Sequence, residues 1–358
     1  MMVRFSDIVR IRDKASKDES PTESRSDDQI WFSEFDILKM PREESSGEKE
    51  ALSGRDLREP AVVSYYRSLK GKAQDIREQV KEDLTLSLSA ILDDLRYIID
   101  NHLIDEMYDY AMCATEDAGE RYSHPLDVTF VALRMAQGMG YDAGNLLDLG
   151  LAAFLENVGM YRVPDAILGK EGPLDEQEMA VIKGHPETSR QILSKLGEDH
   201  QWLADVALEI HERSDGSGYP KGLKGNEISE TASIIGLADT YVAMIKHRPY
   251  RDKYLQTDAI KLIIKEEKGL FPVKVLKVFL DHISLFPVNT LVRLNNKSIG
   301  RVVSTDHNQP LRPIIELICD GHGTKLKDRQ VIRLCDNPLL HIAESIDERA
   351  LADQSFGD

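Results

Sequence analysis

The sequence predicts a mainly α-helical protein with a small β-rich region near its C-terminal end. Two observations support this prediction. Between residues 60 and 285, apolar side chains recur every three or four positions, which places them on one face of a helix. After Pro287 the pattern changes to short runs rich in Val and Ile, which are typical of strands.

The composition is that of a globular protein without a membrane anchor. The chain has 358 residues, of which 41% are hydrophobic, enough for two or three domains with a sizeable core. No apolar run approaches the ~20 residues that span a bilayer, and the N-terminus lacks the apolar segment of a secretory signal. The three cysteines, Cys113, Cys319 and Cys335, are widely spaced and suit reduced thiols. We therefore expect a cytoplasmic location.

The formal net charge of −17 at pH 7 indicates which partners the surface disfavours. Nucleic acid and anionic lipid both attract basic surfaces, so neither is expected to bind this chain. A small anionic ligand is still compatible with this charge, because such a ligand needs only a local positive site or a metal ion.

Residues 1–55 form the first of four predicted segments and are rich in Ser, Glu, Asp and Lys, as in KASKDESPTESRSDD. Such a composition buries too little apolar area to offset chain entropy, so we predict that most of this segment is disordered. A short apolar island, IWFSEFDILKM, is the part that could dock onto a partner or onto the protein itself.

Residues 56–112 are predicted to form an N-terminal helical region. The residues of its apolar face are Ile76, Val80, Leu84, Leu88, Ile91, Leu95 and Ile98. No Pro or Gly interrupts residues 73–112, so one long helix and two abutting helices both fit the pattern. The apolar face could pack on the following domain, or it could form a homodimer or relay a signal.

Residues 113–285 are predicted to form the main helical domain. Its helices are expected at residues 125–138, 145–157, 175–184, 187–196, 201–211, 231–246, 256–266 and 272–282. Most of these helices carry one or two His, Asp or Glu residues among apolar neighbours. This pattern is typical of a metal site in a helical bundle.

Residues 286–358 are predicted to form a small β-rich region and a tail. NTLVRL and IGRVVS flank NNKS and read as a β-hairpin, and IIELICD and QVIRL read as two further short strands. We recognise no chemical motif in this region.

Seven polar residues of the main domain lie inside or beside apolar stretches. They are Glu120, His124, Glu156, Asn157, His185, His211 and Asp239. A carboxylate in such surroundings is costly unless a partner compensates for the lost water. A salt bridge or a helix dipole could compensate any single residue, but the distribution of the set over separate helices favours a metal ion.

The segment HERSDGSGYPKGLKGNEI resembles the signature of the HD-GYP family, a subgroup of the HD-superfamily metal-dependent phosphohydrolases. The resemblance extends through VPDAILGKEGPLDEQEMAVIKGHPETSRQIL, LADTYVAMIKHRPYR and FPVNTLVRLNNKSIGRVV, covering roughly residues 110–305. It implies an HD-type helical bundle with two or three metal ions, usually iron or manganese, that hydrolyses cyclic di-GMP.

The resemblance also implies which residues would bind metal. His124, His185 and Asp239 stand where the family has ligands, and Glu120 stands where some members have a carboxylate for a third ion. Pro125 directly follows His124 and predicts a helix start there. Such a start would separate Glu120 from the helix that carries His124.

Four positions depart from the family pattern. The His-Asp pair that names the family is replaced by Glu156 and Asn157, and the lysine three residues later is replaced by Met160. The first of two adjacent histidines is Ile210, so only His211 is kept. In the family the aspartate of the pair bridges two ions about 3.5–4 Å apart. A neutral amide is a poor bridge, and Ile210 offers no lone pair.

These departures predict one metal ion rather than two. His124, Glu156 and Asp239 would bind that ion, with hard oxygen ligands that suit Mn²⁺, Mg²⁺ or Fe²⁺. A second ion would keep only His185, His211 and a neutral amide, so a dinuclear centre is not expected.

Two further features concern a ligand and a partner. Arg248, Arg251 and Lys253 could face an anionic ligand, or they could form a solvated helix end. The signature loop is intact, and its residues are Asp215, Gly216, Gly218, Tyr219 and Pro220. In the family this loop lies beside the metal pocket and has been linked to contacts with signalling proteins.

The sequence leaves three functions open. The first is a degenerate HD-GYP protein with weak or no hydrolysis, a binding or regulatory module for cyclic di-GMP or a related nucleotide. The second is an active cyclic di-GMP phosphodiesterase in which Glu156 and Asn157 replace the usual pair. The third is a protein-interaction scaffold that binds no nucleotide.

Overall fold

The computed structural model describes residues 55–113, 120–170, 172–246, 254–266, 269–305, 309 and 311–346. The N-terminal segment predicted to be disordered lies outside these residues, apart from Arg55. Within the described ranges, no helix combines the length and the apolar character needed to cross a membrane.

The described chain is helical from residue 55 to residue 282, as the sequence predicts. The helices are α1 Arg55–Lys81, α2 Ser89–Asp100, α3 Ile104–Cys113, α4 Glu120–Gly138, α5 Ala143–Leu155, α6 Asp165–Leu168, α7 Glu176–Lys183, α8 His185–Leu193, α9 Gln201–Glu209, α10 Glu230–Ile245, α11 Gln256–Glu266 and α12 Val273–His282. Each helix predicted in the main domain is present, with its ends within five residues of the predicted ones. The short helix α6 was not predicted.

The N-terminal helical region contains three helices, α1 to α3, so the prediction of one or two helices is wrong. The chain leaves the helical path at Asp83 and at His102, where φ is +59° and +53°. Both residues adopt the left-handed conformation, which Asp and His tolerate better than most residues do. Neither break therefore needs a Gly or a Pro, and the sequence gives no recognisable sign of where these helices end.

The apolar face of α1 packs inside its own chain. Its buried residues are Val62, Tyr66, Leu69, Ala73, Ile76 and Val80, which belong to the same core as the main-domain helices. Leu84, which the sequence pattern placed on this face, lies after the end of α1 and is 51% exposed. The packing supports an intramolecular role for the face rather than a dimer contact through it.

Helix α4 begins at Glu120 and continues through Pro125, so the predicted helix start at Pro125 is wrong. Proline lacks a backbone N–H and removes one helical hydrogen bond. The rest of the helix is almost completely buried, and the Thr129 hydroxyl donates to the Pro125 carbonyl oxygen at 2.7 Å. Tertiary packing on both sides of α4 outweighs the local cost of the proline.

Helices α4 and α10 form the centre of the bundle. Residues 125–136 of α4 are all buried, and α10 is buried along most of its length. Helices that are apolar on nearly every side belong in the interior, where α4 packs against α3, α5 and α10. Polar side chains on these two helices therefore lie in a low-dielectric environment.

The C-terminal region is a five-stranded antiparallel sheet with strand order β4-β3-β2-β1-β5. Its strands are β1 Leu291–Leu294, β2 Ile299–Ser304, β3 Ile314–Cys319, β4 Lys325–Arg333 and β5 Ile342–Ile346. The predicted hairpin and the two following strands are present. Strand β5 was missed because its sequence, IAESI, lacks an alternating apolar pattern and buries no residue fully.

Gly236 in α10 allows a close approach to the end of α9. A Cβ at this position would overlap the Ile210 carbonyl oxygen, which belongs to the backbone and cannot turn away. This approach brings the chain at residues 210–211 against the helix that carries Asp239.

We expect Gly236→Ala to lower the free energy of unfolding by about 1–3 kcal/mol, because the added methyl forces backbone displacement in a packed core. The matched control is Gly71→Ala in α1, where a Cβ would meet nothing within 4 Å. There we expect stabilisation by about 0.5–1 kcal/mol, because alanine has the higher helix propensity. Urea denaturation measures both changes. Equal stability of the Gly236 variant and the wild type would contradict the packing argument.

Candidate metal site

Three helices bring an imidazole and two carboxylates together in the core. His124 lies in α4, Asp239 lies in α10, and Glu156 directly follows α5. The His124 Nε2 atom lies 2.9 Å from Asp239 Oδ1 and 3.7 Å from Glu156 Oε1. One candidate ligand atom from each residue lies within 4.8 Å of the others, which is close enough for one metal ion to bind all three.

Burial and charge make this group suitable for a cation. The Glu156 side chain is fully buried, and the side chains of His124 and Asp239 are only 16% and 14% exposed. Two carboxylates held in so little water repel each other unless a positive charge compensates them. Hard oxygen ligands with one imidazole suit a divalent ion such as Mn²⁺, Mg²⁺ or Fe²⁺. The residues present therefore fit one divalent ion.

A second group of polar side chains lies beside the first. His185 Nε2 is 2.9 Å from His211 Nε2, which is 3.3 Å from Asn157 Oδ1. His185 Nδ1 is 2.7 Å from the Ile182 carbonyl oxygen. Because a carbonyl only accepts, Nδ1 of His185 carries the proton and its Nε2 presents a lone pair.

These contacts define a continuous hydrogen-bond chain. His211 Nε2–H donates to His185 Nε2 and toward Asn157 Oδ1, and the Asn157 amide nitrogen donates to Glu156 Oε1 at 3.1 Å. Burial lowers the pKa of His185 and lowers the pKa of His211 to about 3. Both imidazoles are therefore neutral near pH 7, and the second group carries no charge of its own.

Helix α8 fixes the turn that carries Glu156 and Asn157. The backbone N–H of Gly159 donates to Ser189 Oγ at 2.8 Å, and the Ser189 hydroxyl lies 3.4 Å from the Glu156 carbonyl oxygen. A Cβ on Gly159 would overlap the His185 carbonyl oxygen. The glycine therefore lets this turn lie directly on the first turn of α8, beside His185.

The remaining predicted site residues are placed as follows. Ile210, which directly precedes His211, is 1% exposed and belongs to the hydrophobic core. The Glu120 side chain lies outside the part of the structure that can be described, as do Arg248, Arg251 and Lys253. Met160 is half-buried in the short 3₁₀ helix that follows Asn157.

The signature loop forms one wall of the site. The Tyr219 ring stacks in parallel on His211, with ring centroids 5.1 Å apart, and the Tyr219 N–H donates to the His211 carbonyl oxygen at 3.1 Å.

The backbone of the loop depends on its glycines. Gly216 has φ of +83°, and a Cβ on Gly218 would overlap the Glu212 backbone. Asp215 accepts the Ser217 N–H at 2.9 Å, and the peptide before Pro220 is cis.

Glu212 anchors this loop and was not singled out in the sequence. Its buried carboxylate accepts three backbone N–H groups, from Lys221 at 2.6 Å, Gly222 at 3.1 Å and Leu223 at 2.9 Å. The sequence did contain a signal, because Glu212 lies between the candidate ligand His211 and a glycine-rich loop. Backbone N–H groups in such a loop need an acceptor, which an acidic side chain can supply. Glu212 thus fixes the loop that packs Tyr219 on His211.

Comparison with known proteins identifies the class of this domain. Residues 107–271 match the family model described as the HD domain, and residues 291–354 match the model described as the KOW domain associated with the HD domain. The first match contains all six residues of the two polar groups described above. Residues 107–271 are therefore an HD domain.

Two curated proteins and one solved structure refine this assignment. The chain is 28% identical to cyclic di-GMP phosphodiesterase PA4108 of Pseudomonas aeruginosa, over 76% of this chain and 64% of that protein. It is 31% identical to cyclic di-GMP phosphodiesterase PdeB of Borreliella burgdorferi, over 54% of this chain and 51% of that protein. The chain thus spans less than two thirds of either relative.

The solved structure is that of Bd1817, an HDG"Y"P protein from Bdellovibrio bacteriovorus. It superposes with a TM-score of 0.50 at 16% identity, covering 66% of this chain and 74% of that one. At this identity the likeness concerns the fold. The matched HD domain and the curated relatives support an assignment to the HD-GYP family.

We expect Glu212→Ala to lower the free energy of unfolding by about 1.5–3 kcal/mol, because it leaves backbone donors of the loop without their charged acceptor. Limited proteolysis should then cleave more rapidly within residues 213–224. The matched control is Glu227→Ala, which removes a carboxylate that accepts a single N–H, that of Lys224, at the exposed side of the same loop. If both variants were cleaved at the same rate, the anchoring role of Glu212 would be refuted.

Proposed function

We propose that this chain is a regulatory HD-GYP protein that binds one divalent metal ion and cyclic di-GMP or a related nucleotide, with weak or no hydrolysis. The observation that carries the proposal is the difference in charge between the two polar groups. His124, Glu156 and Asp239 include two carboxylates, whereas His185, His211 and Asn157 are neutral. The curated relatives, which are named cyclic di-GMP phosphodiesterases, support the choice of ligand.

The first group would hold the ion. A divalent ion bound there would supply positive charge to a phosphate oxygen of the ligand. Glu156, fully buried, would fix the inner side of the ion, while His124 and Asp239 face the partly open side. The Tyr219 ring closes the side of the site next to His211, on which it stacks.

A second ion is disfavoured by the neutral group. The Asn157 amide uses its oxygen toward His211 and its nitrogen toward Glu156, so both of its ends are engaged. A second ion would have to break this chain and would gain no negative charge in return. A dinuclear hydrolase needs two ions, which stabilise the attacking and the leaving oxygen of the reaction. A site with one ion at His124, Glu156 and Asp239 is therefore better suited to binding than to hydrolysis.

The alternative is an active phosphodiesterase, and one observation favours it. His185 Nε2 and His211 Nε2 point toward each other at 2.9 Å, so a proton shift on His211 from Nε2 to Nδ1 would present two lone pairs to one ion. Metal content and turnover distinguish this alternative from the regulatory function.

The signature loop supports a role in signalling. Glu212 and the stacking of Tyr219 on His211 keep the loop in one conformation next to the site. A loop fixed in this way could present the occupied or empty state of the site to a partner protein. The scaffold without nucleotide would keep the loop but would bind neither metal nor ligand.

We expect the purified protein to bind about one equivalent of Mn²⁺, because only the first group carries the negative charge that holds a divalent ion. Glu156→Gln and Asp239→Asn should each abolish this binding, as measured by isothermal titration calorimetry. Asp205→Asn, which changes an exposed carboxylate in α9, is the matched control and should bind like the wild type.

Turnover of cyclic di-GMP with Mn²⁺ or Fe²⁺ separates the functions further. We expect binding of the nucleotide with little or no linear or mononucleotide product, because the neutral group cannot hold the second ion of a paired clamp. The combined variant Asn157→Asp with Ile210→His should raise the metal content. Two equivalents of metal in the wild type, with product formation lost in His211→Ala, would favour the active enzyme instead.

A further inference from the structure

Asp127 is a fully buried carboxylate outside the two polar groups. It lies in α4 three residues after His124, so the two side chains share one face of the helix. The sequence gave no sign of it, because a single Asp in an apolar helix carries no motif. A carboxylate without access to water requires partners that hold it.

Two other segments supply these partners. The Lys246 ammonium lies 3.1 Å from Asp127 Oδ2, and the Tyr66 hydroxyl donates to Asp127 Oδ1 at 2.9 Å. Lys246 Nζ also donates to the Ala111 carbonyl oxygen at 3.0 Å, in the last turn of α3. Asp127 thus joins α4 to α1 and to Lys246, which directly follows α10 and in turn binds α3.

We propose that Asp127, Lys246 and Tyr66 form a positioning network that fixes His124 opposite Asp239 and thereby sets the affinity of the site for its metal ion. This inference rests on the proposed function, because it assumes that the site binds a metal. We refer to the three residues as the Asp127 network. None of them belongs to the candidate metal ligands.

The geometry gives the network this role. Helix α4 makes two polar contacts with the segment formed by α10 and Lys246: His124 contacts Asp239 within α10, and Asp127 pairs with Lys246 directly after it. His124 and Asp127 are one helical turn apart, a rise of about 4.5 Å along α4. A helical turn in a packed core is rigid, so a displacement of Asp127 displaces His124 as well.

Metal binding makes such a displacement measurable. Ligand atoms must lie within about 0.2 Å of their required distances for an ion to bind well. Charged groups in the core hold their partners closely, because an unpaired buried charge is strongly disfavoured. Loss of the Asp127–Lys246 pair should therefore loosen the His124–Asp239 spacing before it affects more distant parts of the fold.

The first test measures the Mn²⁺ dissociation constant by calorimetry for the full chain. We expect Asp127→Asn to raise it by about tenfold, the size found when residues that orient metal ligands are changed. Tyr66→Phe keeps the ring and its packing, so the variant should fold, and its dissociation constant should rise by a smaller factor. Lys72→Met is the control, because Lys72 pairs with Asp94 and joins α1 only to α2.

A combined apolar variant separates positioning from stability. Asp127→Leu with Lys246→Met and Tyr66→Phe replaces the whole network by hydrocarbon, which often leaves stability unchanged or improved. We expect this variant to melt near the wild-type temperature and still bind Mn²⁺ more weakly than the wild type. A network with only a structural role would recover metal affinity together with stability.

The outcomes distinguish the two proposals. If the wild type binds no Mn²⁺, both the proposed function and the role of the Asp127 network are refuted. If the wild type binds Mn²⁺ while Tyr66→Phe and the combined apolar variant bind it equally well, only the positioning role is refuted. Weaker binding in both variants, with unchanged binding in Lys72→Met, supports it.

Discussion

Two carboxylates and an imidazole, held almost dry where α4, α5 and α10 meet, are the constraint on which the rest of the site depends. The contact of 2.9 Å between His124 and Asp239 and the complete burial of Glu156 concentrate negative charge in a low-dielectric core. Such charge is tolerated only when a cation or a set of donors compensates it. The surrounding helices are arranged so that one ion can do so.

The neighbouring polar group is equally poor in water, but it avoids the cost of buried charge by being neutral. His185, His211 and Asn157 are uncharged, and they satisfy one another through a directed hydrogen-bond chain that ends on Glu156. Ile210, the residue before His211, is buried in the hydrophobic core and offers no ligand atom. A group with two carboxylates therefore lies beside a neutral group, and this difference in charge, rather than the loss of any single residue, is the basis of the proposed one-ion site.

The fold was largely predictable because the helices of the main domain are amphipathic or fully apolar. The spacing of apolar residues along the sequence therefore indicates where these helices lie. The errors occur where periodicity carries no information. Non-glycine residues in the left-handed conformation end α1 and α2, Pro125 lies inside a helix, and β5 is exposed. In each case tertiary packing or a single backbone conformation overrode local preference.

The sequence by itself determined the helical class, the β-rich end and the residue types available at each candidate ligand position, because these follow from side-chain chemistry and spacing. The family resemblance had already grouped Glu156 with His124 and Asp239, and Asn157 with the two histidines. Only the tertiary structure decided the distances and hydrogen bonds within each group, and it alone revealed the buried carboxylates Glu212 and Asp127 with their partners. The physical reason is that hydrogen bonds and ion pairs between residues far apart in the chain depend on distances of a few tenths of an ångström, which helix packing sets and no local pattern encodes.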